Sequence, residues 1–174
     1  FENIKGTSGD QFINLCKRYS KRVKLEFGLQ TIHQLEMKVI GRGNRLSKVT
    51  SIMNRLNESG INYEVSLIYG IPGQTYKSFF ETVEFVSQNG CPNIRAFPLR
   101  IPRNSNMEAQ KEELEVRETQ MEYNVKQVSS SYSFDSTEYN MMHLLAGQLC
   151  VNALPPITFP DSVDKESRRL IFEE

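Results

Sequence analysis

Helical and extended hydrophobic patterns alternate along the first 101 residues, and this alternation restricts the folds open to the chain. Three segments have the apolar spacing of an amphipathic helix, and three others are short apolar runs typical of strands. In chain order the segments are 7–19 (helix), 23–29 (strand), 45–59 (helix), 62–69 (strand), 74–89 (helix) and 93–101 (strand). Strands that alternate with helices pair in parallel through right-handed crossovers. The chain is therefore predicted to be an α/β protein.

The spacing of the strands sets the size of the predicted sheet. Successive strands begin about 30–40 residues apart, which is the length of one βα unit. Three units are too few to close an eightfold barrel, which takes about 250 residues. We therefore predict a partial parallel (β/α) barrel fragment of about three βα units over residues 1–103, either open or part of a larger barrel. The chain begins with Phe1 rather than Met, so we also expect it to be a fragment of a longer protein.

The C-terminal part of the chain, 104–174, is predicted to be a mostly helical extension packed on the barrel. Residues 104–122 are polar and acid-rich, which favours a solvated helix. Residues 128–134 predict either a short strand or an extended loop. Residues 135–138 provide cap groups for a last helix, which is predicted to end near Asn152.

The charge balance argues against a polyanionic partner. The chain has 21 basic and 21 acidic residues, so it carries no strong field toward nucleic acid or an acidic membrane surface. No apolar run approaches the roughly 20 residues that a membrane span needs. We therefore expect neither nucleic acid nor a membrane among the partners.

The cysteines and histidines give no metal-binding pattern. Cys16, Cys91 and Cys150 are odd in number and widely spaced, which is typical of neither a disulfide framework nor a metal cluster. His33 and His143 stand too far apart in the sequence to suggest a metal site. A reducing, cytoplasmic setting fits this cysteine usage.

The end of the first predicted strand carries polar residues where an α/β fold places its binding site. Alternation puts Glu26, Gly28 and Gln30 on one face. A carboxylate in an otherwise apolar strand is unfavourable unless it is paired or binds something. Glu26 either pairs with Arg22 or Lys24, or lies at an edge, or contacts a ligand.

The ends of the next two strands add glycines and apolar groups. Gly70 and Gly73 flank a turn that either cradles a ligand or is simply a tight βα connection. Phe97 and Leu99 either line an apolar slot for a flat ring or belong to the core. Arg42, between two glycines, either lies in an ordinary turn or forks onto a carboxylate.

Four segments in this order resemble the C-terminal half of a radical S-adenosylmethionine (radical SAM) core. They are LEFGLQT, IGRGN, YEVSLIYGIPGQTYKSFFETVEFV and NIRAFPLRI. The later segment EYNVKQVSSSYSFDSTEYNMMHLLA resembles the region C-terminal to the core in the subgroup that often carries a cobalamin-binding domain. The resemblance covers about residues 10–150 and implies strands four to six of a partial (β/α)6 barrel.

The resemblance also implies ligand contacts. Glu26 and Gln30 would lie near the ribose and amino-acid part of SAM, and Arg42 would approach the SAM carboxylate. The remaining implied contacts are with the adenine and come from Gly70, Ile71, Phe97, Pro98 and Leu99.

Two departures from the family pattern limit what the chain can do alone. The C-x3-C-x2-C loop, whose thiolates hold a 4Fe–4S cluster, is absent from the sequence. RIPRNSNM stands where many members have a P-G-T turn. The resemblance thus implies SAM, a 4Fe–4S cluster ligated outside this chain and, as a further candidate, cobalamin. We assign no catalytic and no metal-binding residue, and we expect the fragment to be inactive alone.

Two other hypotheses remain open. A degenerate half-barrel would bind a nucleotide-like ligand or a protein, and a second copy of the chain would cover its open edge. An unrelated α/β enzyme would use non-radical chemistry. If the radical SAM interpretation holds, the partners are the N-terminal half of the same barrel and a small-molecule substrate that the sequence does not identify.

Overall fold

The computed structural model describes residues 6–120 and 125–149. The helices are α1 (Gly6–Arg18), α2 (Gln34–Val39), α3 (Leu46–Glu58), α4 (Tyr76–Gln88), α5 (Asn106–Ala109) and α6 (Ser136–Leu149). The strands are β1 (Lys24–Gln30), β2 (Asn62–Tyr69), β3 (Asn93–Pro98), β4 (Arg117–Gln120) and β5 (Lys126–Ser130). No helix in these two ranges is long and apolar enough to cross a membrane.

Three parallel strands form the main sheet, in the order β1-β2-β3. Helices connect these strands, so the prediction of a partial (β/α) barrel fragment is confirmed. β2 lies between its neighbours, and every residue from Tyr63 to Leu67 is buried. The position between two neighbouring strands buries even the polar Glu64 and Ser66, which alternate with Tyr63, Val65 and Leu67.

The hydrophobic core lies on one side of this sheet. Phe27 and Leu29 of β1, together with Val65 and Leu67 of β2, point into it. The helices contribute buried residues from α3 and α4, which occupy the helical positions that the sequence predicts: Val49, Ile52, Met53, Leu56, Phe79, Val83 and Val86.

The first part of the C-terminal segment differs from its prediction. The expected helix over 104–122 is wrong: only α5 forms, and β4 then pairs with β5 in an antiparallel hairpin. A polar segment without an apolar stripe gains little from packing as a helix. The hairpin instead buries Val128, whose N–H donates to the Leu99 carbonyl at 3.0 Å.

The last helix agrees with its predicted apolar stripe. α6 buries Tyr139, Met142, Leu145 and Ala146 against the core. Its predicted end near residue 152 lies outside the described residues. α2 was not predicted, because six residues give too little periodicity to stand out from a loop.

Candidate functional site

The sheet face opposite the core is polar. Strand register places Gly28 beside Ser66 and Ser66 beside Arg95, so three side-by-side positions form one layer of this face. The Glu26 side chain is exposed and accepts a hydrogen bond from the Ser66 hydroxyl at 2.8 Å. Phe97 lies toward the carboxyl end of the same face and is 39% exposed. We call this surface, formed by alternate residues of β1, β2 and β3, the inner face.

Gln30 has an unusual conformation at the carboxyl end of β1. Its φ of 67° lies in the left-handed region, which residues other than glycine and asparagine rarely adopt. Its amide folds back over Gly28, with the amide nitrogen 2.7 Å from where a Cβ at position 28 would be. The Gln30 Oε1 is buried without a hydrogen-bond partner in the structure. Such a strained, unpaired group suggests a binding role.

The turn after β2 is shaped by two glycines and one glutamine. Gly70 and Gly73 have φ values of 81° and 92°. The fully buried Gln74 accepts hydrogen bonds at its Oε1 from the N–H groups of Gly70 (2.8 Å) and Ile71 (3.3 Å). Its Nε2 donates to the Ile68 carbonyl at 3.2 Å. The glutamine therefore satisfies the first two backbone N–H groups of the turn that follows the strand.

A buried carboxylate joins this turn to the end of β1. Glu36 is 1% exposed. Its oxygens accept hydrogen bonds from Thr31 Oγ1 at 2.5 Å, Ser78 Oγ at 2.5 Å and Gln74 Nε2 at 3.1 Å. Ser78 also forms a capping box with Thr75 at the start of α4, where the helix dipole favours a negative charge.

Sequence reasoning missed this network of Thr31, Glu36, Gln74 and Ser78. Thr31 and Glu36 lie between β1 and β2, whereas Gln74 and Ser78 lie between β2 and β3. Glu36 is separated from Gln74 by 38 positions and from Ser78 by 42, so no local pattern joins the two pairs. The available signal was the Thr-Tyr-Lys-Ser capping pattern over 75–78, which predicts only the start of a helix.

The C-terminal segment closes the other side of the same turn. Ser133 Oγ accepts a hydrogen bond from the Gly73 N–H and donates one to the Gln74 carbonyl, both at 2.8 Å. Glu138 Oε1 accepts from the N–H of Tyr76, the first residue of α4, at 3.1 Å. We call the Ser133 contacts the serine clamp. The shape of the 70–76 turn thus depends on residues that come after the sheet in the sequence.

Ser133→Ala is expected to lower the free energy of unfolding by about 1–2 kcal/mol, because a backbone donor and a backbone acceptor lose their partner. Urea denaturation of the full chain measures the change. Ser129→Ala is the matched control: its hydroxyl makes one long, exposed hydrogen bond at 3.3 Å, and we expect a change within about 0.5 kcal/mol. Equal effects of the two substitutions would contradict the clamp.

Arg42 lies on the loop after α2, close to the end of β1. Asn44 fixes this loop by donating its side-chain N–H to the Leu29 carbonyl at 2.9 Å. The Arg42 N–H donates to the Met37 carbonyl at 2.9 Å, and its side chain is exposed. Among the described ion pairs none involves Arg42, so its guanidinium is available to an anion.

The other predicted contact residues divide into exposed and buried groups. The Phe97 ring is half-exposed, and Pro98 is partly buried beside it. Ile71 and Leu99 are buried in the interior, with exposed fractions of 0% and 5%. The Leu99 N–H donates to the Tyr69 carbonyl at 2.8 Å. Their side chains support the strand ends, and Phe97 presents its ring to solvent.

Lys24 makes its ion pair with Glu64, at 2.7 Å, and not with Glu26. Glu64 is 5% exposed on the central strand, so its carboxylate needs a counter-charge more than the exposed Glu26 does. The structure therefore does not show the ion pair between Glu26 and Lys24 that the sequence left open.

The described residues do not fit a 4Fe–4S cluster. No group of three His, Cys, Asp or Glu side chains within 6–120 and 125–149 is arranged to hold a metal ion. Cluster ligands are thiolates, whereas burial raises the pKa of the Cys91 thiol to about 11 and raises that of Cys16 above its usual value. Cys150 lies outside the described residues.

No protein-family model matches the chain. Among curated proteins, it is 30% identical over 101 residues to Protein YhcC of Escherichia coli, an alignment that covers 56% of this chain and 33% of YhcC. It is 24% identical over 84 residues to an uncharacterized protein of Methanocaldococcus jannaschii, covering 48% of this chain and 26% of the relative. The chain thus spans about a third or less of the length of these relatives.

Two solved structures share the fold. One is coproporphyrinogen III oxidase (HemN) of Escherichia coli, described as a radical SAM enzyme, with a TM-score of 0.52 and 15% identity over 76% of this chain and 28% of HemN. The other is the radical SAM methyltransferase TsrM of Kitasatospora setae, with a TM-score of 0.53 and 11% identity over 85% of this chain and 41% of TsrM. The chain therefore has the fold of part of a radical SAM enzyme.

Proposed function

We propose that this chain is the C-terminal part of a radical SAM enzyme core and provides part of its SAM-binding surface. The observation that carries the proposal is Gln30: a left-handed residue at a strand end, with a buried amide oxygen that has no partner. A polar ligand would satisfy that oxygen. The shared fold and the four sequence segments in family order support SAM as this ligand.

The exposed groups of this surface are chemically complementary to the parts of SAM. Glu26 presents an exposed carboxylate, an acceptor suited to ribose hydroxyls. Arg42 presents a guanidinium suited to the SAM carboxylate. The half-exposed Phe97 ring and the neighbouring Pro98 offer an apolar surface to adenine.

Three further residues maintain the shape of this surface. Gly70 and Ile71 both direct their N–H groups to Gln74, which fixes the turn that would flank the adenine. Leu99 holds the end of β3 against β2.

The reductive chemistry requires parts outside the described residues. In the full-length product, a reduced cluster would supply the one electron that cleaves SAM into methionine and a 5′-deoxyadenosyl radical, which would abstract hydrogen from a substrate. We propose that the 4Fe–4S ligands and the N-terminal half of the barrel belong to the same longer protein, and that this chain alone binds SAM without cleaving it. The C-terminal resemblance favours the cobalamin-associated subgroup, so cobalamin is a candidate second cofactor of the full-length product.

The experiment that tests this proposal uses the full-length gene product, reconstituted anaerobically with iron and sulfide. We expect it to release 5′-deoxyadenosine from SAM in the presence of a reductant. Arg42→Ala should weaken SAM binding roughly tenfold, since charge-assisted hydrogen bonds are lost. A protein with a fully loaded cluster that neither binds nor cleaves SAM rules the assignment out.

Gln30→Gly should separate binding from stability. Glycine relieves the left-handed strain, so the free energy of unfolding should rise by up to about 1 kcal/mol. SAM affinity should fall roughly tenfold, because the unpaired amide is removed. Calorimetric titration and urea denaturation measure the two changes.

Glu115→Gly is the matched control for Gln30→Gly. Glu115 is also left-handed, with φ of 50°, but it is exposed on the loop before β4. We expect a comparable gain in stability and unchanged SAM affinity. Unchanged affinity in Gln30→Gly as well would remove Gln30 from the binding surface.

A further inference from the structure

The inner face carries a charged cluster that the proposed SAM contacts do not use. Its members are Lys24 at the start of β1, Glu64 on β2 and Arg95 on β3. The Glu64 carboxylate is buried between the two cations. Its Oε2 lies 2.7 Å from Lys24 Nζ, and its Oε1 lies 3.5 Å from Arg95 Nη1.

Within this cluster, one carboxylate faces two cations. Lys24 is the close partner of Glu64, and Arg95 is the loose one, as the two distances show. Glu26 lies on the same face, but its described contact is the hydrogen bond from Ser66 and not an ion pair with Arg95. Arg95 is thus the cation of the cluster with only a loose carboxylate partner, and its side chain is 50% exposed.

Arg95 is held in a position from which it can bind an anion. Its guanidinium carbon lies 5.1 Å from the centre of the Phe97 ring, so the ring supports one face of the guanidinium plane. An arginine has five N–H donors at the edge of that plane. The described contacts engage only the Nη1 side, by a loose ion pair, which leaves donors available for a two-point contact with an anion.

The location separates Arg95 from the proposed SAM carboxylate contact. Arg42 lies on a loop beyond the end of β1, whereas Arg95 lies within β3, three residues before the strand ends at Pro98. Arg95 therefore faces the interior of the cavity that the inner face would line, beneath the strand ends where SAM is proposed to bind.

We propose that Arg95 binds a carboxylate or phosphate group of the substrate on the inner face, with Phe97 holding its guanidinium in place and Lys24 neutralising Glu64. This inference rests on the proposed function, because it takes the inner face as the reaction cavity. The substrate class is then an anionic small molecule.

The test is a titration of the full chain with benzoate and, separately, with inorganic phosphate. Nuclear magnetic resonance of the arginine Nε–H groups reports binding at Arg95. We expect a saturable shift of the Arg95 signal with at least one of the two probes, and the responding probe distinguishes a carboxylate from a phosphate substrate. If neither probe gives a saturable shift of the Arg95 signal, the proposal is overturned.

Variants assign the binding to this residue. Arg95→Gln should weaken binding of the responding probe tenfold or more. Arg95→Lys keeps a cation beside Glu64 but lacks the two-point donor, so it should weaken probe binding less than Arg95→Gln does. Arg95→Lys also replaces Arg95→Gln in the test if Arg95→Gln does not fold. Arg100→Gln is the matched control, because Arg100 is an exposed arginine just beyond the same strand. Equal weakening in Arg100→Gln and Arg95→Gln would contradict the assignment.

SAM affinity is measured on the same proteins and separates the two proposals. We expect Arg95→Gln to change SAM affinity much less than probe affinity, because the two proposed sites share only the Phe97 ring. A wild-type chain that binds the probe at Arg95 but not SAM would contradict the proposed function and retain the anion site. A wild-type chain that binds SAM but neither probe would contradict the anion site and retain the proposed function.

Discussion

Glu36→Ala is expected to lower the free energy of unfolding by about 2–4 kcal/mol, the larger of the two greatest effects that we predict. The substitution removes the acceptor shared by Thr31, Gln74 and Ser78, and it leaves a cavity at a side chain that is 1% exposed. Thermal and urea denaturation of the full chain measure the loss.

Two variants distinguish the hydrogen-bond network from a general loss of charge. Glu84→Ala removes an exposed carboxylate from α4 and should change stability by less than about 0.5 kcal/mol. Glu36→Gln keeps the volume but places an amide donor against other donors, so we expect an intermediate loss. If Glu36→Ala were as mild as Glu84→Ala, the buried network would not hold the turn.

Gly70→Ala is expected to destabilise the fold by about 2–3 kcal/mol, because two effects add. The backbone at position 70 has φ of 81°, which is unfavourable for alanine, and the new Cβ would lie 3.2 Å from the Tyr139 ring. Denaturation of the purified variant gives the magnitude.

Gly60→Ala isolates the backbone effect. Gly60 has φ of 62° after α3, and nothing lies within 4 Å of where its Cβ would be. We expect a loss of about 1–2 kcal/mol, since only the left-handed strain applies. A loss at Gly70 no larger than the loss at Gly60 would show that Tyr139 moves aside without penalty.

Periodic elements of the fold could be predicted from the sequence because each carries its own pattern. β2 is buried from Tyr63 to Leu67 because it is the central strand, and α3 and α4 each show an apolar stripe because each packs one side on the sheet. The helix predicted over 104–122 was wrong because this segment has no such pattern of its own. Its polar composition fits any exposed structure, and in the observed hairpin the Val128 N–H donates to the Leu99 carbonyl.

The candidate site was only partly accessible to sequence reasoning. Glu26, Gln30 and Arg42 could be singled out because polar residues at strand ends and glycine-flanked turns stand out locally. The partner of Lys24 could not be found in this way, since Glu64 becomes its neighbour only when β1 and β2 pair. The same holds for Glu36 and Gln74, which meet across 38 residues of chain.

The serine clamp also has a consequence for the order of synthesis. Gly73 receives its hydrogen-bond partner from a residue 60 positions later in the chain. A nascent chain that has produced all three strands of the main sheet therefore still lacks the group that fixes the turn after β2. Closing so long a loop is slow compared with forming a local contact. The proposed SAM-binding surface thus matures late, after the hairpin and the start of α6 have been made.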